Sequence, residues 1–420
     1  MTTTFDPVRE AEELREQLGS DRRRLLVFFG AGTSQAVGID GVVQLTKNVA
    51  SDLTGDQRAH YDRLLSQSGT GAHVEHVLNR VRLCREMIGD SKTVEADGIK
   101  GEDATKLDRA ICSAIYNRVK VDPPKGFQLH AEFAAWLSSI QRTKPVEIFT
   151  TNYDLLIERG LEIAMVPYFD GFVGTVNPYF SDAAADFKDD NDNQVHIPRS
   201  WARLWKIHGS IGWRAATEVV TGTKKILRLP LVPPTTNDDL MIFPSREKYL
   251  DSRRLPFVAL QDRLRRLTAS GECLLLIAGY SFGDQHINDI IFGNLRSNNR
   301  FSATVLSFDS LKTLGIGENL IKPAQGIRNL TVYGPDMALV GGVLGKWSAP
   351  AKPPASMTKW PFWDDASGTF SLGNFANFPN FLREFIGARQ LTFISPAPPV
   401  SSAAPVTPTA PTPVGAVVTP

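Results

Sequence analysis

The chain has 420 residues, of which 42% are hydrophobic, enough for one large domain or two modest domains with buried cores. Its 46 basic and 45 acidic residues give a formal net charge of +1, so no overall positive field draws it to nucleic acid. No segment approaches the roughly 20 consecutive apolar residues of a membrane span, and the N-terminus lacks a secretory pattern, which predicts a cytoplasmic protein without membrane contact.

The spacing of hydrophobic residues and the positions of turn-forming residues predict helices and strands along most of the chain. Helical patterns occupy residues 7–18, 56–66, 74–88, 104–119 and 129–140. Strand-like apolar runs occupy residues 25–29, 146–149, 273–278, 303–306 and 330–333, and a further short run precedes His208. We therefore expect an α/β fold in which a Rossmann-like parallel sheet is flanked by helices.

Composition divides the chain further. We expect a catalytic domain over residues 1–345, with a helical insertion at about 42–145 and a second insertion, which holds a possible hairpin, at about 214–260. Residues 346–395 are rich in Trp and Phe, more than a monomer leaves in water, so this aromatic extension packs on its own sheet or forms an assembly surface. Residues 396–420 contain only Ala, Pro, Ser, Thr, Val and Gly, which predicts a disordered Pro/Thr-rich tail.

Polar motifs follow five of the strand-like runs. They are Gly30-Ala31-Gly32-Thr33-Ser34, Thr150-Thr151-Asn152-Tyr153-Asp154, His208-Gly209-Ser210, Gly279-Tyr280-Ser281-Phe282-Gly283-Asp284 and Ser307-Phe308-Asp309. Ligands of open parallel sheets bind beyond the carboxyl ends of the strands, so five such ends predict one cleft. Together they favour a nucleotide site.

In order and identity these motifs resemble the sirtuin-like family in its bacterial, defence-associated branch, from about Leu25 to Asp309. Residues 30–34 resemble the sirtuin Gly-Ala-Gly-x-Ser loop, residues 151–154 its Gln-Asn-Ile-Asp segment, and His208-Gly209 its catalytic His-Gly pair. Residues 279–281 stand where that family has a Gly-Thr-Ser or Gly-Tyr-Ser turn beside the cofactor ribose. The resemblance implies that NAD is bound as a substrate.

The resemblance also assigns roles. Asn152 positions the nicotinamide ribose and the attacking water, and His208 is the general base. An amide offers both donors and an acceptor, and imidazole is the side chain best suited to accept a proton near neutral pH. The candidate cofactor-binding residues are Gly30, Ala31, Gly32, Thr33, Ser34, Asp154, Gly279, Ser281 and Asp309.

Three acids keep alternative interpretations. Asp154 either orients the site or caps a helix that begins at Leu155. Asp284 and Asp309 end strands where a ribose diol or an adenine amine binds, or they act only as caps. For the glycine loop, we expect Gly30 and Gly32 to let backbone amides approach a pyrophosphate.

Cysteine usage bears on the activity. The three cysteines form no Cys-x-x-Cys pair, whereas the zinc ribbon typical of sirtuin deacylases needs four thiolates. This favours cleavage of the cofactor over protein deacylation, and we expect no bound metal.

The pair His73 and His76, with Glu75 between them, lacks a nearby third ligand, so we expect a solvated or inter-helix face. The basic cluster at 263–266 is expected on a solvated helix face.

The resemblance implies an NAD glycohydrolase that acts in antiviral defence by depleting NAD when it is activated. Chains of this kind resemble the partner of a HerA-type hexameric ATPase, so we expect that partner and a homo-oligomer, with nucleic acid not bound directly or bound only through the partner. The alternatives are a non-catalytic NAD or ADP-ribose sensor or scaffold and, with less support, a deacylase.

Overall fold

A computed structural model of the chain describes residues 3–120, 128–140, 142–185, 197–217, 222, 224–229, 239–242, 256–355 and 357–386. The predicted disordered tail at 396–420 lies outside the described residues. Of the predicted second insertion at about 214–260, residues 218–221, 223, 230–238 and 243–255 also lie outside them. No helix among the described residues combines the length and the apolar character needed to cross a membrane.

The strands, in chain order, are β1 Thr4–Phe5, β2 Arg24–Phe29, β3 Glu95–Ala96, β4 Ile99–Lys100, β5 Glu147–Thr150, β6 Tyr168–Phe169, β7 Phe172–Val173, β8 Tyr179–Phe180, β9 Ala202–Lys206, β10 Gly209–Thr217, β11 Lys224–Arg228, β12 Asp239–Ile242, β13 Cys273–Ala278, β14 Phe301–Leu306, β15 Leu330–Tyr333, β16 Met337–Val340, β17 Val343–Trp347, β18 Trp363–Asp364 and β19 Thr369–Phe370. The helices are α1 Pro7–Gly19, α2 Ala31–Gln35, α3 Val42–Asp52, α4 Gly55–Gln67, α5 Val74–Ile88, α6 Gly101–Val119, α7 Gln128–Ser139, α8 Leu156–Ile163, α9 Asp182–Ala185, α10 Phe257–Ser270, α11 Gln285–Ser297, α12 Leu314–Ile316, α13 Lys322–Ala324 and α14 Phe378–Ile386, with a π-helical turn at Gly317–Ile321.

The main sheet confirms the expected Rossmann-like architecture. Its order is β1-β17-β16-β15-β14-β13-β2-β5-β9-β6, and the strands from β15 to β6 pair in parallel. The chain runs from β2 to β5 and β9 on one side and returns through β13, β14 and β15 on the other, so the order reverses beside β2. A crevice forms at such a reversal beyond the carboxyl ends of the strands. The sheet is not wholly parallel, because β16 pairs antiparallel with β15 and with β17.

Alternating side chains of the strands build two cores on opposite faces of the sheet. In β2, Leu25, Val27 and Phe29 enter one core, whereas Leu26 and Phe28 enter the other, which is covered by α10 and α11. The helices α3 to α6 build a third core, which also includes Leu156 of α8, Ile211 of β10 and Ile242 of β12. This third core matches the helical character expected of the first insertion, although the domain boundaries themselves stay predictions.

The aromatic extension packs on the chain's own sheet. Phe362, Phe378 and Phe381 are fully buried, and the Phe375 ring centroid lies 5.4 Å from that of Phe29 in β2. The aromatic extension therefore packs within the chain, which is one of the two arrangements that the sequence left open. These aromatic side chains are already covered, and the expected assembly surface would have to use other residues.

Candidate functional site

Four of the five predicted strand ends meet around one cavity of about 470 Å³. They follow β13, β2, β5 and β9, which are consecutive in the sheet. These segments contribute Ala31, Ser34, Thr151, Asn152, Tyr153, Asp154, His208, Tyr280, Ser281, Gly283 and Asp284 to the lining. The rest of the lining comes from the neighbouring helices and loops: Ile39, Asp40, Val42, Leu45, His73, Glu75, His76, Asn79, Val119, Val258, Gln261, Asp262, Arg265 and His286.

Strand register brings Asn152 and His208 to equivalent positions at this edge. Thr150 pairs with Lys206 at the ends of β5 and β9, and each candidate residue lies two positions further on. The ladder continues past the pair, because Ile207 N donates to Thr150 O at 2.9 Å. Both side chains are largely buried, at 7% and 6% exposure, and both line the cavity.

Asn152 is held by the glycine loop. Its Nδ2 donates to Gly30 O at 3.1 Å, Thr33 Oγ1 at 3.1 Å and Ser34 Oγ at 2.9 Å. Because a backbone carbonyl only accepts, the amide nitrogen must face Gly30, and this directs Oδ1 away from the loop. Oδ1 is therefore the Asn152 atom suited to accept a hydrogen bond from a ligand.

The Asp154 carboxylate makes contacts that fit both interpretations left open by the sequence. Its Oδ1 accepts from Leu156 N at 3.0 Å at the start of α8, and its Oδ2 accepts from Ser34 Oγ at 2.6 Å. The carboxylate thus caps a helix and fixes the hydroxyl that contacts Asn152. Lys206 Nζ donates to the Asp154 carbonyl, which ties β9 to the same loop.

The glycines serve a purpose that the sequence did not indicate. A Cβ on Gly30 would lie 2.5 Å from Gly279 O, and a Cβ on Gly32 would lie 2.7 Å from Gly279 Cα. Gly279 itself has φ of +66°, and Gly32 N donates to Gly279 O at 2.8 Å. The loop after β2 and the turn after β13 therefore pack backbone against backbone. Gly30, Gly32, Thr33 and Gly279 stand behind the cavity and do not line it, whereas Ala31, Ser34 and Ser281 do.

His208, after β9, contacts a carboxylate from the segment that follows β13, although β2 and β5 separate these two strands in the sheet. Its Nε2 lies 2.9 Å from Asp284 Oδ2, and Asp284 also caps α11 by accepting from His286 N at 2.9 Å. Burial alone would raise the pKa of Asp284, but the hydrogen bonds from His208 and from the helix backbone lower it to about 2. Asp284 is therefore ionised at neutral pH.

The fifth strand end does not join the other four. Phe308 and Asp309 are exposed and do not line the cavity. Gly373 of the aromatic extension packs so closely over Ser307 that a Cβ there would lie 1.9 Å from Ser307 O. The extension thus packs on Ser307, and Asp309 lies outside the cavity, which gives no geometric support to a cofactor contact by this residue.

The start of α5 forms part of the cavity wall, whereas we expected its two histidines on a solvated or inter-helix face. His73, Glu75 and His76 all line the cavity, and the His73 and His76 ring centroids lie 4.1 Å apart. The Tyr153 hydroxyl donates to Glu75 Oε1, so the residue next to Asn152 is hydrogen-bonded to this helix. Spacing along one helix carries no signal of which distant strand end it will face.

A second correction concerns Arg263, which is 4% exposed and not solvated. Its Nη2 donates to Glu147 Oε1 at 2.6 Å, and its guanidinium lies 4.7 Å from the Trp205 ring centroid. Arg263 therefore joins α10 to β5 through the ion pair and to β9 through the contact with the Trp205 ring.

The lining is acidic. Among the described residues it contains the carboxylates Asp40, Glu75, Asp154, Asp262 and Asp284, and one guanidinium, that of Arg265. The described part of the chain contains no group of three or more His, Cys, Asp or Glu arranged to hold a metal ion. The three cysteines are buried and unpaired by disulfides.

Comparison with known proteins agrees with this fold. Residues 146–312 match the family model described as a SIR2-like domain, a span that includes Asn152, His208 and Asp284 but not the glycine loop. No curated protein matches the chain significantly.

Solved structures of Sir2 proteins are also similar to this chain. A Sir2 homologue–NAD complex has 14% identity and a TM-score of 0.38, and the alignment covers 76% of this chain and 87% of that one. A Sir2–p53 peptide–NAD+ complex has 14% identity, coverage of 72% and 88%, and a TM-score of 0.33. The chain is thus similar to the SIR2-like domain family over its central part.

Proposed function

We propose that this protein is an NAD glycohydrolase that cleaves NAD to nicotinamide and ADP-ribose. The observation that carries the proposal is the equivalent placement of Asn152 and His208 beyond β5 and β9, in one cavity. The similarity of residues 146–312 to the SIR2-like domain supports NAD as the ligand.

The lining suits the charge changes of this reaction. The nicotinamide ring of NAD is cationic, and its departure leaves an oxocarbenium-like centre on the ribose carbon. Positive charge at that centre is stabilised by a fixed negative environment, and the described lining carries five carboxylates against one guanidinium. The amide orientation of Asn152 presents Oδ1 to a ribose hydroxyl or to the attacking water, and His208 takes the proton of that water.

The biological setting of the proposal comes from the family resemblance. We infer an antiviral role in which the enzyme depletes NAD after activation by a HerA-type ATPase partner, in a cytoplasmic homo-oligomer. A switch in the partner is consistent with an activity that would harm the host if it were constant. A sensor that binds NAD or ADP-ribose without turnover is the alternative from another functional class.

Separate measurements of binding and turnover distinguish these functions. NAD and ADP-ribose binding are measured by calorimetry, and nicotinamide release by chromatography, for the purified protein alone and with the ATPase. His208→Ala and Asn152→Ala should lower turnover by on the order of 100-fold to 10,000-fold. Asn177→Ala, at an exposed position outside the cavity, is the matched control and should behave as the wild type. Binding without turnover under all conditions would favour the sensor.

A further inference from the structure

Asp284 and His208 form a partly buried pair that the strand-end motifs alone do not predict. Their side chains are 22% and 7% exposed, and Asp284 Oδ2 lies 2.9 Å from His208 Nε2. Both residues line the cavity. Seventy-six residues separate them in the chain, and β2 and β5 lie between β13 and β9 in the sheet, so the segment that follows β13 must carry Asp284 across the strand ends to His208.

The carboxylate of Asp284 is fixed independently of His208. Its other oxygen, Oδ1, accepts from His286 N at 2.9 Å and from Ile287 N at 3.4 Å at the start of α11. A carboxylate is a preferred helix N-cap, so this contact orients the group before any ligand binds. The second oxygen is left aimed at the imidazole.

The turn that delivers Asp284 is strained and braced. Phe282 has φ of +56°, which is costly for a residue with a bulky side chain. The turn is held because Asn288 Nδ2 donates to Phe282 O at 2.8 Å and the Tyr280 hydroxyl donates to Asn288 Oδ1 at 3.2 Å. Strain of this kind persists where the surroundings over-determine it, and it concentrates at functional sites.

The hydrogen bond has a direction. An ionised carboxylate only accepts, so His208 must donate from Nε2, and in the neutral ring the lone pair is then on Nδ1. We propose that Asp284 is a positioning residue for His208, which holds the imidazole in the tautomer with its proton on Nε2 and so makes Nδ1 the proton acceptor. The assignment of Nδ1 as the base in NAD cleavage rests on the proposed function, whereas the tautomer itself does not.

Asp284→Asn is the informative substitution because the cap fixes its orientation. The new amide must direct Oδ1 to the N–H groups of α11, which places Nδ2, a donor, against His208 Nε2. The imidazole then has to carry its proton on Nδ1, and its acceptor faces the wrong way. Loss of the correct tautomer through such a change typically lowers kcat on the order of 10,000-fold.

Two further variants separate positioning from capping. Asp284→Ser keeps a good N-cap but is too short to hold the imidazole. Asp289→Asn, on the exposed face of the same helix and outside the cavity, is the matched control. Thermal unfolding of all three shows whether each is folded.

The tautomer is read directly from the ring nitrogen shifts of 15N-histidine-labelled protein, with His208 assigned by its loss in His208→Ala. We expect Nε2–H in the wild type and in Asp289→Asn, Nδ1–H in Asp284→Asn, and a mixture in Asp284→Ser. Turnover should fall at least 100-fold in Asp284→Asn through kcat, with KM within a few-fold, and by less in Asp284→Ser, where part of the imidazole keeps the productive tautomer.

An Nδ1–H tautomer in the wild type, or wild-type kcat in folded Asp284→Asn, would overturn the proposal. If no form of the protein turns over NAD but the tautomer shifts as expected, the positioning role holds and the proposed function fails.

Discussion

Substitution of Gly30 by Ala tests the way the cavity is built. The added Cβ would lie 2.5 Å from Gly279 O and 2.6 Å from Tyr280 Cα, against an ordinary contact of about 3.4 Å, so one loop must retreat by about 1 Å. Overpacking of this size costs about 1–3 kcal/mol. The retreat also strains the hydrogen bond from Gly30 N to Ala278 O, now 3.0 Å, which adds about 1 kcal/mol.

Gly293→Ala is the matched control. Gly293 lies within α11, and nothing approaches its missing Cβ within 4 Å. The same substitution should stabilise the helix there by about 0.5–1 kcal/mol. The two variants should therefore differ by about 2.5–5 kcal/mol in the free energy of unfolding, measured by urea titration of the ligand-free proteins.

The expected loss of turnover follows from the same displacement. A shift of about 1 Å in the loop that holds Asn152 should lower NAD cleavage on the order of 100-fold. If Gly30→Ala were as stable as Gly293→Ala and lost only NAD affinity, Gly30 would serve approach to a phosphate, as the sequence suggested, and the backbone packing would not matter.

Three other results are expected. Phe378→Ala, at a fully buried ring of the aromatic extension, should lower the free energy of unfolding by about 3–5 kcal/mol, and Phe308→Ala, at a ring that is 65% exposed, by under about 1 kcal/mol; equal costs would contradict the packing described. The pKa of Asp284 is lowered to about 2 from 3.8, so the ionised carboxylate contributes about 2 kcal/mol to the free energy of unfolding. This contribution is present above pH 4 and is lost as the pH falls to 2. A difference in the free energy of unfolding between the wild type and Asp284→Asn that stays constant over this range would show that the pKa is not lowered. Elemental analysis should find no stoichiometric zinc, and a zinc chelator should leave NAD cleavage unchanged, whereas a bound equivalent of zinc would refute the metal-free mechanism.

The sequence predicted what depends on local pattern. The strands Cys273–Ala278 and Leu330–Tyr333 and the helix Val74–Ile88 begin and end at the predicted residues, because each is a clear apolar or periodic run bounded by polar or turn residues. Convergence of the motifs after β2, β5, β9 and β13 follows from the general rule for parallel sheets.

What the sequence did not predict depends on contacts between distant segments. The face of α5 that carries Glu75 meets Tyr153 only once the insertion has packed on the sheet. The contact of Asp284 with His208 needs the strained turn at Phe282, and the burial of Arg263 of α10 needs Glu147 of β5. None of these pairings has a periodic signature, and the same residue types are common on solvated faces.

The most direct test of the central claim is the product balance of NAD cleavage by the purified protein, alone and with the HerA-type ATPase. The wild type should release equal amounts of nicotinamide and ADP-ribose, and folded His208→Ala and Asn152→Ala should release both products on the order of 100-fold to 10,000-fold more slowly. Unchanged product formation in either folded variant, or NAD that is bound and never cleaved, would contradict it.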